Sequence, residues 1–558
     1  MDLLYQKYVT ETYDRRGVLK DFKVNLPECF NFAYDVVDAL ALKKPASTAM
    51  MWINEKGAEH RFSFAEMKEL SDKTANVLRD AGIKKGDAVM LVLKRHWQFW
   101  TVMTALCKIG ALAIPATHLL TAHDYVYRFN AASVKAVVAT SDGDTCDSID
   151  EAQKDCPSLT VKLVVNGDRA GWGSLDTLVE QASGHFEKPT GADMPQNGDM
   201  MLMYFTSGTS GPPKMVWHDF TYPLGHIVTA RHWHNVVPDG LHLTVADTGW
   251  GKAVWGKLYG QWLCEAGVFT YDFDKFNGHD LLNMFAKYKI TTFCAPPTIF
   301  RFFIKEDLSK FDLSSLTYAT TAGEALNPEV FNVFYKATGL KLMEGFGQTE
   351  TTLSVCTTVG MEPKPGSMGK PSPGYTVKIF DDMGNEAPAG AAGEIVISTE
   401  KGKPVGMFGG YYRDQARTDS VWHDGWYHTG DVAWCDEDGY FWYVGRTDDL
   451  IKSSGYRISP FEIESVLMEH PAVMECGVTG VPDPVRGQIV KATVVLTKGY
   501  EGSDALAKEL QEYVKKNTAP YKYPRIITFV SELPKTINGK IRRVDLRADQ
   551  TPHNVIPD

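Results

Sequence analysis

The sequence predicts an α/β protein with a large N-terminal domain of helix-covered sheets, a β-rich subdomain within it, and a small α+β C-terminal domain. Three observations predict this. Short apolar runs alternate with helical patterns up to about residue 360. The composition then turns to Gly, Pro and short alternating strands. A fresh alternation of helix and strand begins at Ser459. At 558 residues the chain also exceeds one ordinary domain, since domains run to about 100–200 residues.

Each element follows from its pattern. Residues 88–93 are continuously apolar and read as a buried strand, residues 96–109 as the helix after it, and 111–115 as the next extended run. Residues 134–139, 161–165, 200–205, 291–295 and 316–320 are further β-branched or apolar runs of strand length. Strand, loop and helix in this rhythm argue for helix-covered parallel sheets. Residues 376–380, 393–398 and 440–444 are short runs between Gly-rich turns and predict hairpins, giving a β-rich subdomain over about 360–445. Residues 460–470 and 505–516 predict helices, and 476–481 and 491–496 predict strands. The domain boundary is placed in the link 445–449, giving domains 1–447 and 448–558.

Bulk properties exclude several classes. Hydrophobic content of 44% and charged content of 23% belong to a globular protein. A net charge of −11 argues against a general nucleic-acid surface. The nine scattered cysteines, with no paired spacing, predict reduced thiols rather than a disulfide framework or a metal cluster. No apolar run approaches the roughly 20 residues of a membrane span. The first residues carry no apolar leader and include Glu11 and Asp14, so a cytoplasmic protein is expected.

The chemistry is concentrated in loops. Thr206, Ser207, Gly208, Thr209, Ser210, Gly211, Pro212, Pro213 and Lys214 follow a predicted strand. Glycines let backbone N–H groups approach phosphate, hydroxyls add donors, and Lys214 adds a point charge. The loop is not a Walker A pattern, because prolines precede its lysine. It resembles the phosphate loop of the acyl-adenylate-forming superfamily of acyl-CoA synthetases, adenylation domains and luciferases. Further motifs of that superfamily follow in order: Thr321-Ala322-Gly323-Glu324-Ala325, Glu344-Gly345-Phe346-Gly347-Gln348-Thr349-Glu350, a segment ending in Asp431, then Arg446, and a late loop ending in Asn538-Gly539-Lys540.

That resemblance implies an ATP-dependent acid–CoA ligase: an acid and ATP give acyl-AMP and pyrophosphate, and CoA then takes the acyl group. It implies ATP, Mg²⁺ and CoA as the bound species. Gly323, Glu324, Ala325, Glu344 and Gly345 would surround the adenine, Phe346 would stack on it, and Gly347 and Gln348 would continue the stretch. Thr349 would meet the α-phosphate and Glu350 would hold Mg²⁺. Asp431 would take the ribose hydroxyls, and Arg446 would be the second ribose or phosphate contact. Asp448 would be the hinge of a mobile C-terminal domain that presents either the catalytic Lys540 or a CoA-binding face. On that face the matching positions are Ser454, Gly455, Tyr456, Arg486 and Arg525. Arg457 would reach the ATP phosphates in the first pose. Lys535 would be a loop charge without a catalytic role. Acetylation of Lys540, by analogy with related synthetases, would remove the charge and switch the enzyme off.

The resemblance runs toward acetyl-CoA and medium-chain acyl-CoA synthetases. Acetate-specific members carry a tryptophan before Gln-Thr-Glu. Gly347 stands there in this sequence, which implies an acid larger than propionate: branched short-chain, medium-chain or aromatic. Trp250 would wall the acyl pocket. Lys252 could line the pocket mouth, pair with an acid or face solvent. Rival readings are a free-standing adenylation enzyme that loads a carrier protein, a luciferase-type oxidase, and a non-catalytic nucleotide binder. The last is disfavoured by the presence of Lys540, Glu350 and the phosphate loop.

Overall fold

The computed structural model describes residues 2–15, 17–206, 212–454, 456–535 and 541–548. Contacts divide the chain into two compact units. The first comprises Met1–Leu326, Val330–Thr376 and Thr399–Gly425, and the second Asn327–Glu329, Val377–Ser398 and Trp426–Asp558.

The first unit holds two large sheets. One runs, edge to edge, through Gly410–Tyr411, Lys214–Asp219, Met200–Thr206, Leu112–Pro115, Ala88–Val92, Ala136–Thr140, Val161–Val165 and Gly173–Ser174. Its interior pairs are parallel, and every residue of Ala88–Val92 and Ala136–Thr140 is buried. Strands covered on both faces must be apolar throughout, which is why these runs lack a polar alternation. The helix Gln98–Ile109 is buried on all sides and stops at Gly110, whose φ of +83° suits a residue without a Cβ.

The second sheet has nine strands. At its centre Thr292–Ala295, Tyr318–Ala322 and Leu342–Gly347 run parallel, and Leu353–Cys356 turns back antiparallel. An aromatic core covers it: Phe293 lies 5.2 Å from Phe285, 5.4 Å from Phe300 and 5.7 Å from Phe303 between ring centroids. Truncating a buried ring loses both transfer energy and contacts. Phe293→Ala is expected to cost about 3–5 kcal/mol, read as a lowered thermal midpoint in calorimetry.

In the second unit Val377–Phe380, Ala392–Ser398, Trp426–Cys435 and Phe441–Arg446 form an antiparallel series. A further sheet contains Tyr456–Ile458, Ile451–Ser453, Gly487–Leu496 and Val473–Asp483, with Ile526–Val530 parallel to Gly487–Leu496. Helices Pro460–Met468 and Asp504–Asn517 supply Ile463, Leu467, Leu510 and Val514 to its core. All nine cysteines are unbridged. Among the described residues no helix is long and apolar enough to cross a membrane.

Candidate active site

Parallel strands deliver their loops to one edge of a sheet, where ligands of open α/β sheets bind. Tyr318–Ala322 and Leu342–Gly347 pair Thr321 with Glu344 and Ala322 with Gly345. The stretches 323–325 and 348–350 therefore leave neighbouring strands at the same end. Residues 342–345 are buried and 346–350 half-buried, so the motif emerges toward solvent as it reaches Glu350. In the other sheet, Met200–Thr206 and Lys214–Asp219 pair antiparallel with Thr206 opposite Lys214. That register pins both ends of the phosphate loop. Ser207, Gly208, Thr209, Ser210 and Gly211 lie outside the described residues, as do Gly455 and Lys540.

Two residues that motif reading missed tie this region together. The Tyr411 hydroxyl donates to Glu350 Oε1 at 3.0 Å, and Lys214 Nζ lies 5.2 Å from the centre of the Tyr411 ring. The phosphate-loop lysine and the Glu350 carboxylate thus share one aromatic neighbour. His218 Nε2 donates to the carbonyl of Thr349 at 2.7 Å. Burial pushes the His218 imidazole down to about 3, so it holds that carbonyl as a neutral donor. Phe408 N–H fixes the carbonyl of Glu350 at 2.8 Å.

The adenine-side residues are held individually. Glu324 accepts from the Thr298 hydroxyl at 3.1 Å and from Arg301 at 3.3 Å. Gly323 has φ +105°, a backbone state that excludes most side chains. Ala325 is half-buried. Glu344 is buried, its Oε1 accepts the Leu326 N–H at 3.2 Å, and burial pushes its carboxyl up to about 8. A protonated Glu344 adds no negative charge to this stretch. Gly345 packs where a Cβ would lie 2.8 Å from the Trp233 ring. The Phe346 carbonyl accepts from Ser354 Oγ at 3.3 Å, and the Gln348 N–H donates to Thr351 Oγ1 at 3.0 Å.

Two contacts stand out at the residues that the resemblance gives to the acid. Lys252, on helix Gly251–Lys257, donates to the carbonyl of Ala322 at 2.6 Å. Of its three sequence-level alternatives, none anticipated this bond to the nucleotide-side strand. At Gly347 a Cβ would lie 2.5 Å from the Trp255 ring and 2.4 Å from the Thr352 carbonyl. Trp255 is buried, and its indole N–H donates to the Tyr222 hydroxyl at 3.1 Å. Trp250 is half-buried at the start of the same helix.

The second unit holds its own set. Asp431 and Arg446 face each other across a hairpin. Asp431 Oδ2 accepts from Arg446 Nη1 at 3.2 Å and Oδ1 from the Tyr443 hydroxyl at 3.0 Å. Arg446 also lies 3.7 Å from Asp448. Arg457 forks onto Asp382 at 3.0 and 2.5 Å. Ser454 sits at φ +49° and its N–H donates to the Arg486 carbonyl at 2.9 Å. Tyr456 stacks on Tyr521 at 4.1 Å. Arg525 Nη1 donates to the Tyr523 hydroxyl at 2.7 Å, and its backbone N–H to the Val490 carbonyl at 2.9 Å. Lys535 pairs with Glu475 at 2.9 Å, in keeping with a loop charge.

A helix-covered α/β unit in which Thr206 pairs with Lys214, and in which 323–325 and 348–350 leave neighbouring strands, fits the nucleotide-dependent acid-activating class that the motifs imply. Residues 37–412 match the family described as AMP-binding enzyme, and residues 462–540 match the AMP-binding enzyme C-terminal domain. The chain belongs to the AMP-binding enzyme family. It is 41% identical to acyl-coenzyme A synthetase ACSM3, mitochondrial, of Mus musculus, across 98% of this chain and 96% of that one. It is 42% identical to acyl-coenzyme A synthetase ACSM5, mitochondrial, of Homo sapiens, across 94% and 91%. Among solved structures, that of the anthranilate CoA ligase AuaEII in complex with anthranoyl-AMP matches with a TM-score of 0.85 at 28% identity, covering 94% of this chain and 98% of that one. The superfamily expected from the motifs is borne out, and the chain is an AMP-forming acid–thiol ligase. The cytoplasmic expectation is overturned, because these relatives are named mitochondrial. It rested on what the first residues lack, and such an absence carries no location.

Proposed function

We propose that this ligase activates a carboxylic acid larger than propionate: medium-chain, branched short-chain or aromatic. The observation that supports the reading is the Trp255 ring against Gly347. Glycine frees the space that an indole at position 347 would fill, but Trp255 takes part of it from the opposite wall. The solved relative with anthranoyl-AMP, an aromatic acyl adenylate, supports the same size class.

In the first half-reaction the acid attacks the α-phosphorus of ATP. Its pKa of about 4–5 leaves it ionised at neutral pH, so no base is required. The obstacle is an anion approaching a polyanion. The loop 206–214, Lys214 and Lys540 offset that repulsion and hold the line of attack. Thr349, positioned through its carbonyl by His218, faces the α-phosphate. Among the described residues no group of three or more His, Cys, Asp or Glu side chains could hold a metal ion. Mg²⁺ beside phosphates needs only one or two carboxylates, and Glu350, oriented by Tyr411, fits that demand. Bound there, the ion would supply charge neutralisation. Asp431 would take the ribose hydroxyls, with Tyr443 and Arg446 fixing its carboxylate.

Rotation at Asp448 would then remove Lys540 and bring the Ser454–Tyr456 turn, Arg486 and Arg525 to CoA. Arginine suits the nucleotide phosphates because its fork donates two bonds at once. A mitochondrial location is supported by the names of the relatives. The test of the acid is a pyrophosphate-release screen from acetate to decanoate, with branched and aromatic acids, with and without CoA. Acids larger than propionate should lead, with CoA-dependent AMP release. A maximum at acetate or propionate would refute the size class, and carrier-protein loading without CoA turnover would refute the thiol.

A further inference from the structure

Gly410–Tyr411 is the edge strand of the eight-stranded sheet and lies beside Lys214–Asp219. The pairing sets Tyr411 opposite Val216 and Gly410 opposite Trp217. Flanking residues extend the seam. The Gly409 N–H donates to the Trp217 carbonyl and the Tyr412 N–H to the Met215 carbonyl, each at 2.8 Å. At Gly409 a Cβ would lie 2.1 Å from the Trp217 ring, so glycine alone allows this approach. From the other side the Tyr411 N–H donates to Thr418 Oγ1 at 2.9 Å. The Phe408 ring lies 5.2 Å from the Tyr411 ring and stacks on Trp422 at 4.9 Å. Tyr411 is 5% exposed, with its backbone and its ring both held.

Two charged groups of the site meet on this one side chain. The hydroxyl donates to Glu350 Oε1 at 3.0 Å, and Lys214 Nζ lies 5.2 Å from the ring centre. Tyrosine has an end suited to each. A phenolic O–H donates to a carboxylate, and the face of the ring attracts an ammonium within about 6 Å. The backbones that carry the two groups are tied to the same seam. Lys214 begins the strand Lys214–Asp219, and the Phe408 N–H donates to the Glu350 carbonyl at 2.8 Å.

An ion held by one protein carboxylate depends on how that carboxylate is oriented. Groups that hydrogen-bond a metal-ligating side chain fix its orientation, and losing one typically costs about 10–100-fold in metal affinity. A side chain that rotates freely must give up that freedom when its ligand arrives. The Tyr411 hydroxyl restrains Glu350 in advance. The same ring gives Lys214 a seat at the end of the phosphate loop.

Resting on the reading of Glu350 as the magnesium carboxylate, we infer that Tyr411 is a positioning residue for adenylation. Its hydroxyl orients Glu350 for the ion, and its ring seats Lys214 for the triphosphate. It acts through these two side chains, so its loss should divide into a part that needs the ion and a part that does not.

Calorimetric titration with ATP, once with Mg²⁺ and once with EDTA, reads both parts without turnover. The ratio of the two affinities reports the share of the ion. Tyr411→Phe keeps the ring and removes the hydroxyl. It should lower that ratio about tenfold, with the affinity in EDTA within about twofold of wild type. Tyr411→Leu removes the ring as well and should also weaken ATP in EDTA by about threefold, the size of one cation–π contact. An unfolded fraction lowers the stoichiometry and leaves both affinities in place. In a Glu350→Gln background, Tyr411→Phe should change the ratio no further. The Mg²⁺ midpoint of pyrophosphate exchange should rise in Tyr411→Phe alone. An unchanged ratio in Tyr411→Phe, an equal loss with Mg²⁺ and with EDTA, or a further change in the Glu350→Gln background would each overturn the inference. Full EDTA affinity in Tyr411→Leu would overturn its Lys214 half. A ratio that Glu350→Gln by itself leaves unchanged would refute the reading of Glu350 first, and this inference with it.

Discussion

Lys540→Ala is expected to slow adenylation by about 10²–10³-fold, the usual cost of removing one preorganised charge from a transition state. Thioester formation from supplied acyl-adenylate should be nearly unchanged. The argument is electrostatic. Carboxylate and triphosphate are both anionic, and a cation held at the developing bond is worth far more in a water-poor site than in bulk. That opposition is smaller in the thiol step, where the nucleophile meets an acyl carbon on an adenylate of lower charge than ATP and AMP leaves as a phosphate monoester. Lys535 provides the internal control. It is paired with Glu475, so Lys535→Ala should leave both half-reactions within about twofold, as for an exposed ion pair. Pyrophosphate exchange and single-turnover thioester formation read the two steps separately. Equal loss of both steps in Lys540→Ala would remove the lysine from the adenylation role. Acetylation at the same side chain should reproduce the adenylation defect, with mass spectrometry reporting its occupancy.

Local pattern made most of the fold legible. Val161–Val165 appears at the predicted bounds, and Ala88–Val92 differs by one residue from the expected run, because continuous apolar runs leave a strand few alternatives. The order of the motifs likewise exposed the family. What stayed hidden are contacts between residues far apart in the chain. Tyr411 is 61 positions from Glu350, and His218 is 131 positions from Thr349. Neither tyrosine nor histidine carries a local signature of such a role. Tyr443 reaches Asp431 across a hairpin with a register shift between Val432 and Ala433, which simple alternation does not anticipate. Lys252 was legible as unusual, yet its partner, the Ala322 carbonyl, is a backbone atom that no side-chain pattern reveals.

Gly347 shows how such a hidden contact changes a prediction. Read alone, the glycine implies an open pocket and invites Gly347→Trp as the test. In the structure a Cβ there meets the Thr352 carbonyl at 2.4 Å, a backbone atom that cannot swing away. Any side chain at 347 therefore strains the strand pairing before it reports on the acid. Trp255 is the better lever, since its ring forms the other face of the contact. Trp255→Ala should raise the ratio of kcat/KM for octanoate over that for a branched short-chain acid by about tenfold or more. Each extra methylene buried in an apolar pocket is worth about 1–3 kcal/mol of discrimination, and deleting an indole admits several. The variant carries a penalty of about 3–5 kcal/mol for the lost ring, so Trp255→Leu provides a milder step. It should move the same ratio in the same direction by less. The ratio is internal to each protein, so a partly unfolded sample lowers both rates without changing it. An unchanged ratio in both variants would show that Trp255 does not bound the acyl chain, and the size class would then rest on a different wall.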